Sequence, residues 1–326
     1  MRSHRAGDIA WPMRILRDHA FVPDDARGAS AALGNFDGVH LGHRAVVEAA
    51  EAEARRLGRP LGVVTFEPHP REVLAPDGPP FRLTNAGARA RGLADLGVEL
   101  LFELTFTPAL ASLPPEAFCR DVLAGGLGLS HVVVGADFRF GHHRAGNVDT
   151  LREAGRELGF GVTAVELLEG AGREISSTEI RAALSGGRPR DAAAMLGHWY
   201  RIEGVVTRGD QRGRGLGYPT ANLSLEGLHL PRFGVYAVEV DILTGPRVGR
   251  LDGVASLGVR PTFGVNRPNL ETYLFDFAGD LYGEHISVAL VEFLRPEERF
   301  ASADALVAQM DADAAAARRA LAAAGR

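Results

Sequence analysis

Gly34-Asn35-Phe36-Asp37-Gly38-Val39-His40-Leu41-Gly42-His43 is the stretch on which the reading of the first half of the chain turns. Before it lies a short apolar run, Ala31–Gly34, that reads as a strand. After it, His43–Leu57 carries helical spacing and stops at Gly58. The ten residues therefore form a strand-to-helix turn. A helix N-terminus presents unpaired backbone N–H groups and the positive end of the dipole, both of which favour an anion. Gly42 lets a phosphate approach the backbone. His40 and His43, flanking it, can hydrogen-bond phosphate oxygens as charge grows in a transition state. Such catalysis works by positioning and electrostatics and needs no protein nucleophile. Capping and packing in a Gly-rich turn is the competing reading, and the placement between strand and helix favours the phosphate one.

Outward from this turn the pattern repeats. Leu61–Phe66, Leu100–Leu104, His131–Gly135 and Gly161–Leu167 read as strands. Ala86–Leu96, Pro115–Leu123 and Val148–Leu158 read as helices. Continuous apolar strands alternating with helices imply a parallel sheet covered by helices. Two short helices, Thr178–Leu184 and Pro189–Leu196, surround the breaker Ser185-Gly186-Gly187. Past Trp199 come β-branched or alternating segments, Tyr200–Thr207, Val235–Asp241, Asp252–Leu257, Leu270–Phe275 and Ile286–Phe293, divided by Gly/Pro turns. They predict an antiparallel barrel or sandwich, with an Ala-rich amphipathic helix from Ser302 onward, where Leu306 and Met310 are spaced i, i+4. A boundary near residues 185–198 gives domains of 1–187 and 188–326.

Composition narrows the classes. At 326 residues, 46% hydrophobic and 24% charged, the chain has globular composition and a length that fits two domains. A lone Cys119 excludes an intramolecular disulfide framework and a four-Cys zinc site, and fits a reducing, cytoplasmic setting. No apolar run is long enough for a transmembrane helix, and the basic start, Met1 to Arg14, lacks the apolar core of a signal peptide. A net charge of -5 without a basic block argues against nucleic acid. All 36 basic residues are arginine. A P-loop lysine is thus absent, and any use of ATP must take another route.

In the second half, Arg208-Gly209-Asp210-Gln211-Arg212-Gly213-Arg214-Gly215-Leu216-Gly217 is an Arg-bearing, Gly-rich loop leading into Tyr218-Pro219-Thr220-Ala221-Asn222. Backbone N–H groups of Gly213 and Gly215 can wrap phosphates, while the Thr220 hydroxyl and Asn222 carbonyl are hard oxygens suited to Mg2+ beside ATP. Downstream, Leu270-Glu271-Thr272-Tyr273-Leu274 sets Glu271 and Tyr273 on one strand face. Glu271 could be a solvated acid on a barrel strand. Phosphoryl transfer to an alcohol also benefits from a carboxylate base aimed at the hydroxyl.

The N-terminal string resembles the nucleotidylyltransferase signature in the longer form found in prokaryotic bifunctional riboflavin kinase/FAD synthetases. Supporting segments follow in that family's order: Thr65-Phe66-Glu67-Pro68-His69-Pro70, Gly135-Ala136-Asp137-Phe138-Arg139-Phe140-Gly141 and Ile175-Ser176-Ser177-Thr178-Glu179-Ile180-Arg181. The region from about Tyr200 to Asp311 resembles the riboflavin kinase domain. The resemblance implies a Rossmann-like nucleotidylyltransferase domain with a parallel sheet, followed by an antiparallel riboflavin-kinase β-barrel closed by a C-terminal helix. It further implies that His40 and His43 act on the ATP phosphates, with Gly34, Phe36, Asp37, Gly42, Asp137, Ser177, Thr178 and Arg181 binding the nucleotide. Thr220 and Asn222 would hold Mg2+–ATP, and Glu271 would accept the proton of the ribityl 5′-hydroxyl. Phe66, Phe138 and Phe140 could stack on the flavin or belong to the core.

Ser177 and Thr178 are expected to cap a helix. Local departures from the family pattern are His142-His143-Arg144, read as solvated, and Asn147 in place of an acid. The expected substrates are riboflavin, FMN and ATP, with no nucleic-acid or membrane partner, and the expected state is a monomer or weak homo-oligomer. A monofunctional kinase with a structural N-terminal domain, or a flavin carrier without turnover, are the alternatives.

Overall fold

The computed structural model describes residues 13–166, 169–170, 173–209, 217–262 and 265–324. They gather into two compact units, residues 13–79 with 86–175, and Pro80–Asn85 with residues 176–324.

The first unit is built on strands β1 (Arg14–Leu16), β2 (Ser30–Leu33), β3 (Leu61–Glu67), β4 (Leu100–Thr105), β5 (His131–Gly135) and β6 (Gly161–Val165). They lie in the order β1-β4-β3-β2-β5-β6. Every neighbouring pair is parallel. Alternate residues of each central strand enter different cores. Ala32, Val63, Leu101 and Val133 join Val47, Ala50 and Ala54 of helix Leu41–Leu57 on one face. Ala31, Val64, Phe102, Val132 and Val134 join Leu151 and Ala154 of helix Val148–Leu158 on the other. Two buried faces are why these strands read as unbroken apolar runs.

Chain order runs from β2 outward through β3 to β4, then returns to place β5 on the other side of β2. That reversal makes the carboxyl ends of β2 and β5 the switch point, where open α/β sheets bind ligands. The stretch Gly34–His43 leaves β2 there, and Gly135-Ala136-Asp137 leaves β5. Two features of this unit were not expected. β1 is a short edge strand, and Pro115–Leu123 is not one α-helix but a turn, Pro115–Ala117, followed by a π-helix, Phe118–Gly126. The Arg27 guanidinium binds the Gly125 and Gly126 carbonyls at 2.8 and 2.7 Å and holds that wider final turn. A two-residue antiparallel pair, β7 (Glu169–Gly170) with β8 (Arg173–Glu174), follows β6.

In the second unit, β9 (Tyr200–Val205), β10 (Thr220–Ser224), β11 (Gly234–Ile242), β12 (Gly249–Thr262), β13 (Val265–Leu274) and β14 (His285–Arg295) form an antiparallel sheet ordered β10-β13-β12-β11-β14-β9. Just past β9, Thr207 bridges Asn222 on β10, its N–H reaching the Asn222 carbonyl at 3.0 Å, so the sheet curls until its two edges meet. Inside lie Ile202, Val238, Leu257, Leu270 and Val288, packed with Ile180, Leu184 and Leu196 of helices Ser177–Ser185 and Pro189–Leu196. Helix Ala303–Ala323, capped by Ser302, covers Val235, Ala237 and Val291 with Ala317 and Leu321. On the same stripe, Asp313 is buried and holds Arg295 at 2.8 and 2.9 Å.

The segment Pro80–Asn85 carries no strand or helix signal, yet it is part of this unit. Leu83 is fully buried in the barrel core, Arg82 bridges Leu228, and the Asn85 amide donates to the Glu203 carbonyl at 2.9 Å.

Candidate active sites

His40 is the N-cap of helix Leu41–Leu57, its Nδ1 accepting the His43 backbone N–H at 3.3 Å. The two imidazoles stack with centroids 3.6 Å apart and planes 17° from parallel, and the Phe36 ring leans on His43 at 5.1 Å. Gly42 is required for a reason other than phosphate approach alone. A Cβ there would lie 3.1 Å from His40 Cε1, so the missing side chain makes room for the His40 ring. Burial, reinforced by the neighbouring His40, holds the His43 imidazole neutral well below its ordinary range. Its Nδ1 is buried without a hydrogen-bond partner among the described residues.

The preceding turn is strained. Phe36 and Val39 have φ of 52° and 44° and Gly38 has 88°, left-handed values that cost a non-glycine residue about 1–3 kcal/mol. The strain is held by the buried Phe36 ring and by Thr65, whose hydroxyl donates to the Asn35 carbonyl at 3.2 Å. Gly34 joins the end of β2 to β3 through its N–H and the Val64 carbonyl at 3.1 Å, and Asp37 is buried in the turn. Over-determined strain of this kind is concentrated at ligand sites.

The Thr65–Pro70 segment is clamped by an ion network that the sequence did not announce. Arg89, buried on helix Ala86–Asp95, donates to the Phe66 carbonyl at 3.1 Å, to Glu67 at 2.9 Å and to buried Glu103 at 3.1 Å, and Arg17 reaches Glu103 at 3.1 Å. His69 caps helix Pro70–Leu74, its own N–H donating to Glu72 at 3.0 Å. Alongside is a run of aromatic rings. Phe66 stands 6.5 Å from Phe118, Phe118 5.8 Å from Phe140, and Phe140 is stacked 5.7 Å from Phe138. Phe66 and Phe138 are half-buried, whereas Phe140 is buried in the core.

Asp137 is exposed just past β5. His142, His143 and Arg144 are exposed on a loop closed by the Phe140–Gly146 bridge. Asn147 caps helix Val148–Leu158, its Oδ1 accepting the Thr150 N–H at 3.0 Å, a task that Asn and Asp perform about equally.

The capping expectation for Ser177 and Thr178 is corrected by one residue. Ser176 is the N-cap of helix Ser177–Ser185, its Oγ accepting the Glu179 N–H at 3.3 Å. Ser177 and Thr178 form the first turn instead, because Ser176 alone has the extended φ of -140° that a cap needs. Arg181 donates to the Phe81 carbonyl at 2.6 Å and lies over the Phe81 ring, 5.5 Å from its centre.

In the barrel, Asn222 and Glu271 are direct cross-strand partners, as are Thr220 and Tyr273. Residues 220, 222, 271 and 273 therefore share one face, while Ala221, Leu223, Leu270 and Leu274 point to the core. Asn222 is buried, and its Nδ2 donates to the Thr220 carbonyl at 3.2 Å. Tyr218 packs on Tyr273 at 4.8 Å and hydrogen-bonds Asp311 of the C-terminal helix, a bond that pushes its phenol up to about 12. At Gly258, next to this face, a Cβ would collide with the carboxylate of Glu297. Gly213 and Gly215 lie outside the described residues.

Two family models divide the chain as these two groups of residues do. The FAD synthetase model matches residues 22–179 and the riboflavin kinase model residues 196–321. Proteins named bifunctional riboflavin kinase/FMN adenylyltransferase match almost end to end. That of Pseudomonas fluorescens is 43% identical, and that of Escherichia coli K12 is 41% identical, each over 94% of this chain and 97% of the relative. The chain belongs to the bifunctional riboflavin kinase/FMN adenylyltransferase family.

As a member of this family it phosphorylates riboflavin to FMN and adenylylates FMN to FAD, using ATP. The Bacillus subtilis member is 36% identical over 92% of this chain and 95% of its own. A crystal structure from Streptococcus pneumoniae, described as a macrolide-efflux protein, matches with a TM-score of 0.78 and 31% identity, covering 92% of this chain and 97% of that one. Among the described residues no helix is long and apolar enough to cross a membrane.

Proposed function

We propose that the two reactions use the two motif sets separately, FAD synthesis in residues 1–187 and FMN synthesis in 188–326. The observation that carries the kinase assignment is the direct pairing of Glu271 with Asn222. Glu271 accepts the proton of the ribityl 5′-hydroxyl while that oxygen attacks the γ-phosphorus of ATP. Thr220 and Asn222 offer neutral hard oxygens at alternate positions of one strand face, a donor set that fits Mg2+ already carrying ATP phosphates. The metal, when bound, neutralises charge on those phosphates.

In the other reaction an FMN phosphate oxygen attacks the α-phosphorus of ATP in line and pyrophosphate leaves. His40 and His43 serve as hydrogen-bond donors to phosphate oxygens at the helix start. A neutral His43 has one N–H to offer, and an arriving anion favours its protonated form. Phe66 and Phe138 present the flavin-facing rings, and buried Phe140 supports Phe138 from behind. We place the enzyme in the cytoplasm, which the lone buried Cys119 supports, and take it to be a monomer or weak homo-oligomer.

The test is a time course with riboflavin, ATP and Mg2+, resolving FMN and FAD by chromatography, for the wild type and for Asn222→Ala. The wild type should accumulate FMN before FAD. Asn222→Ala should need more Mg2+ for FMN formation and convert supplied FMN to FAD normally. An unchanged Mg2+ requirement would remove Asn222 from the metal.

A further inference from the structure

Asn269 lies two positions before Glu271 on β13, so its side chain projects from the same strand face. Its Nδ2 stands 2.9 Å from Asn222 Oδ1 and 3.4 Å from Glu271 Oε1. One amide group thus reaches two acceptors on adjacent strands. The sense of both amides is fixed by chemistry. Asn222 directs its own Nδ2 to the Thr220 carbonyl at 3.2 Å, which turns its Oδ1 toward Asn269. An inverted Asn269 would set its oxygen against a carbonyl and a carboxylate at once. The ladder explains how the contact is possible. Asn222 faces Glu271 directly and Asn269 faces Ser224, so Asn269 meets Asn222 along the diagonal, within reach of a side chain of this length.

We propose that Asn269 is a positioning residue for the kinase reaction, holding the Glu271 carboxylate and the Asn222 carbonyl in one fixed arrangement. The proposal rests on the reading of Glu271 as the base and Asn222 as the ligand on the phosphate side. Deprotonation of the alcohol and transfer of the phosphoryl group happen together. The base and the phosphate-side oxygen must therefore be correctly placed at the same moment. A glutamate has three side-chain torsions, and a hydrogen bond to Oε1 restrains the carboxylate at its far end. The Asn222 carbonyl has two lone pairs. The Asn269 proton occupies one and fixes the plane of the Asn222 amide, as partners behind a metal ligand commonly do.

The test compares Asn269→Asp and Asn269→Ala with the wild type and with Glu271→Gln, all in the full-length protein. Asp keeps the shape of Asn but sets a charged oxygen beside Glu271, whereas Ala removes the donor without adding charge, so a loss shared by both reports the missing hydrogen bond. Five quantities are measured: kcat and riboflavin KM for FMN formation, riboflavin affinity without ATP or metal from flavin fluorescence, FAD formation from supplied FMN, and the melting temperature. Both substitutions should lower kcat at least about tenfold, the scale of loss when a reacting group is misplaced. Riboflavin KM and metal-free affinity should stay within about threefold, with FAD formation unchanged and a single cooperative melting transition retained. In the Glu271→Gln background, Asn269→Asp should add little further loss, because no carboxylate is left to hold. An Asn269→Asp enzyme with wild-type kcat, or a loss seen equally in KM and riboflavin affinity, would overturn the proposal. Wild-type turnover by Glu271→Gln would instead remove the reading beneath it.

Discussion

The imidazole of His40 lies flat on that of His43 at 3.6 Å while its Nδ1 accepts the His43 backbone N–H, so one residue both caps the helix and fixes the second histidine. These two roles can be separated. His40→Asn keeps an N-cap acceptor and loses the ring. It should melt near the wild-type temperature and still lose FAD formation. His40→Ala should lose FAD formation too, with about 1 kcal/mol of stability from the missing cap. Thermal melts read beside FAD yield check both. FAD formation by His40→Asn at the wild-type rate would mean that the cap is all His40 supplies.

Gly42→Ala tests the stack without touching either histidine. The new methyl would stand 3.1 Å from His40 Cε1, tighter than ordinary contact, and must displace the ring. FAD formation should drop by an order of magnitude or more, the usual scale for misplaced catalytic groups. FMN formation should be retained.

The Arg89 network predicts a stability loss coupled to function. Arg89→Ala strips buried Glu103 of one of its two arginines, and breaking such a pair costs about 3–5 kcal/mol. Because Arg17 remains, the lower end is expected. Arg89→Met combined with Glu103→Leu should recover much of the loss in urea unfolding. It should not restore FAD formation fully, since the Phe66 carbonyl and Glu67 stay unclamped.

Acid should weaken the fold through two histidines. His43 is held neutral first by burial and then by His40, and His131 by burial despite nearby Glu53, so both fold with a pKa below the ordinary 6.5. Above that value neither state holds the proton. Below it the unfolded chain binds protons that the folded one refuses, so stability falls as pH falls. Urea midpoints at about pH 7.5 and 5.5 should therefore differ less in a His43→Asn/His131→Asn double variant than in the wild type. An equal or larger difference in the variant would contradict this account.

Much of this architecture is written locally. The central strands of the first unit are apolar over most of their length because both of their faces are buried, and Gly58 and Gly159 mark helix ends through left-handed φ of 62° and 84°. The Gly34–His43 turn shows in its glycines and histidines. What stayed hidden depends on partners distant in sequence. Arg89 finds Glu67 and Glu103, Asn269 finds Asn222, and Leu83 enters the barrel core although nothing around it marks a strand or helix. The sequence marks β10 as a ligand motif and gives no strand signal there, since Thr220–Ser224 is short and led by Pro219. The position of the Ser176 cap was ambiguous because three hydroxyl residues stand in a row, and only backbone geometry distinguishes them.

The central claim is that each reaction has its own residues. The most direct measurement assays His43→Ala and Glu271→Ala for FMN formation from riboflavin and for FAD formation from supplied FMN. His43→Ala should make FMN and almost no FAD, and Glu271→Ala should make FAD from FMN and almost no FMN from riboflavin. Loss of both activities in either folded variant would contradict the division.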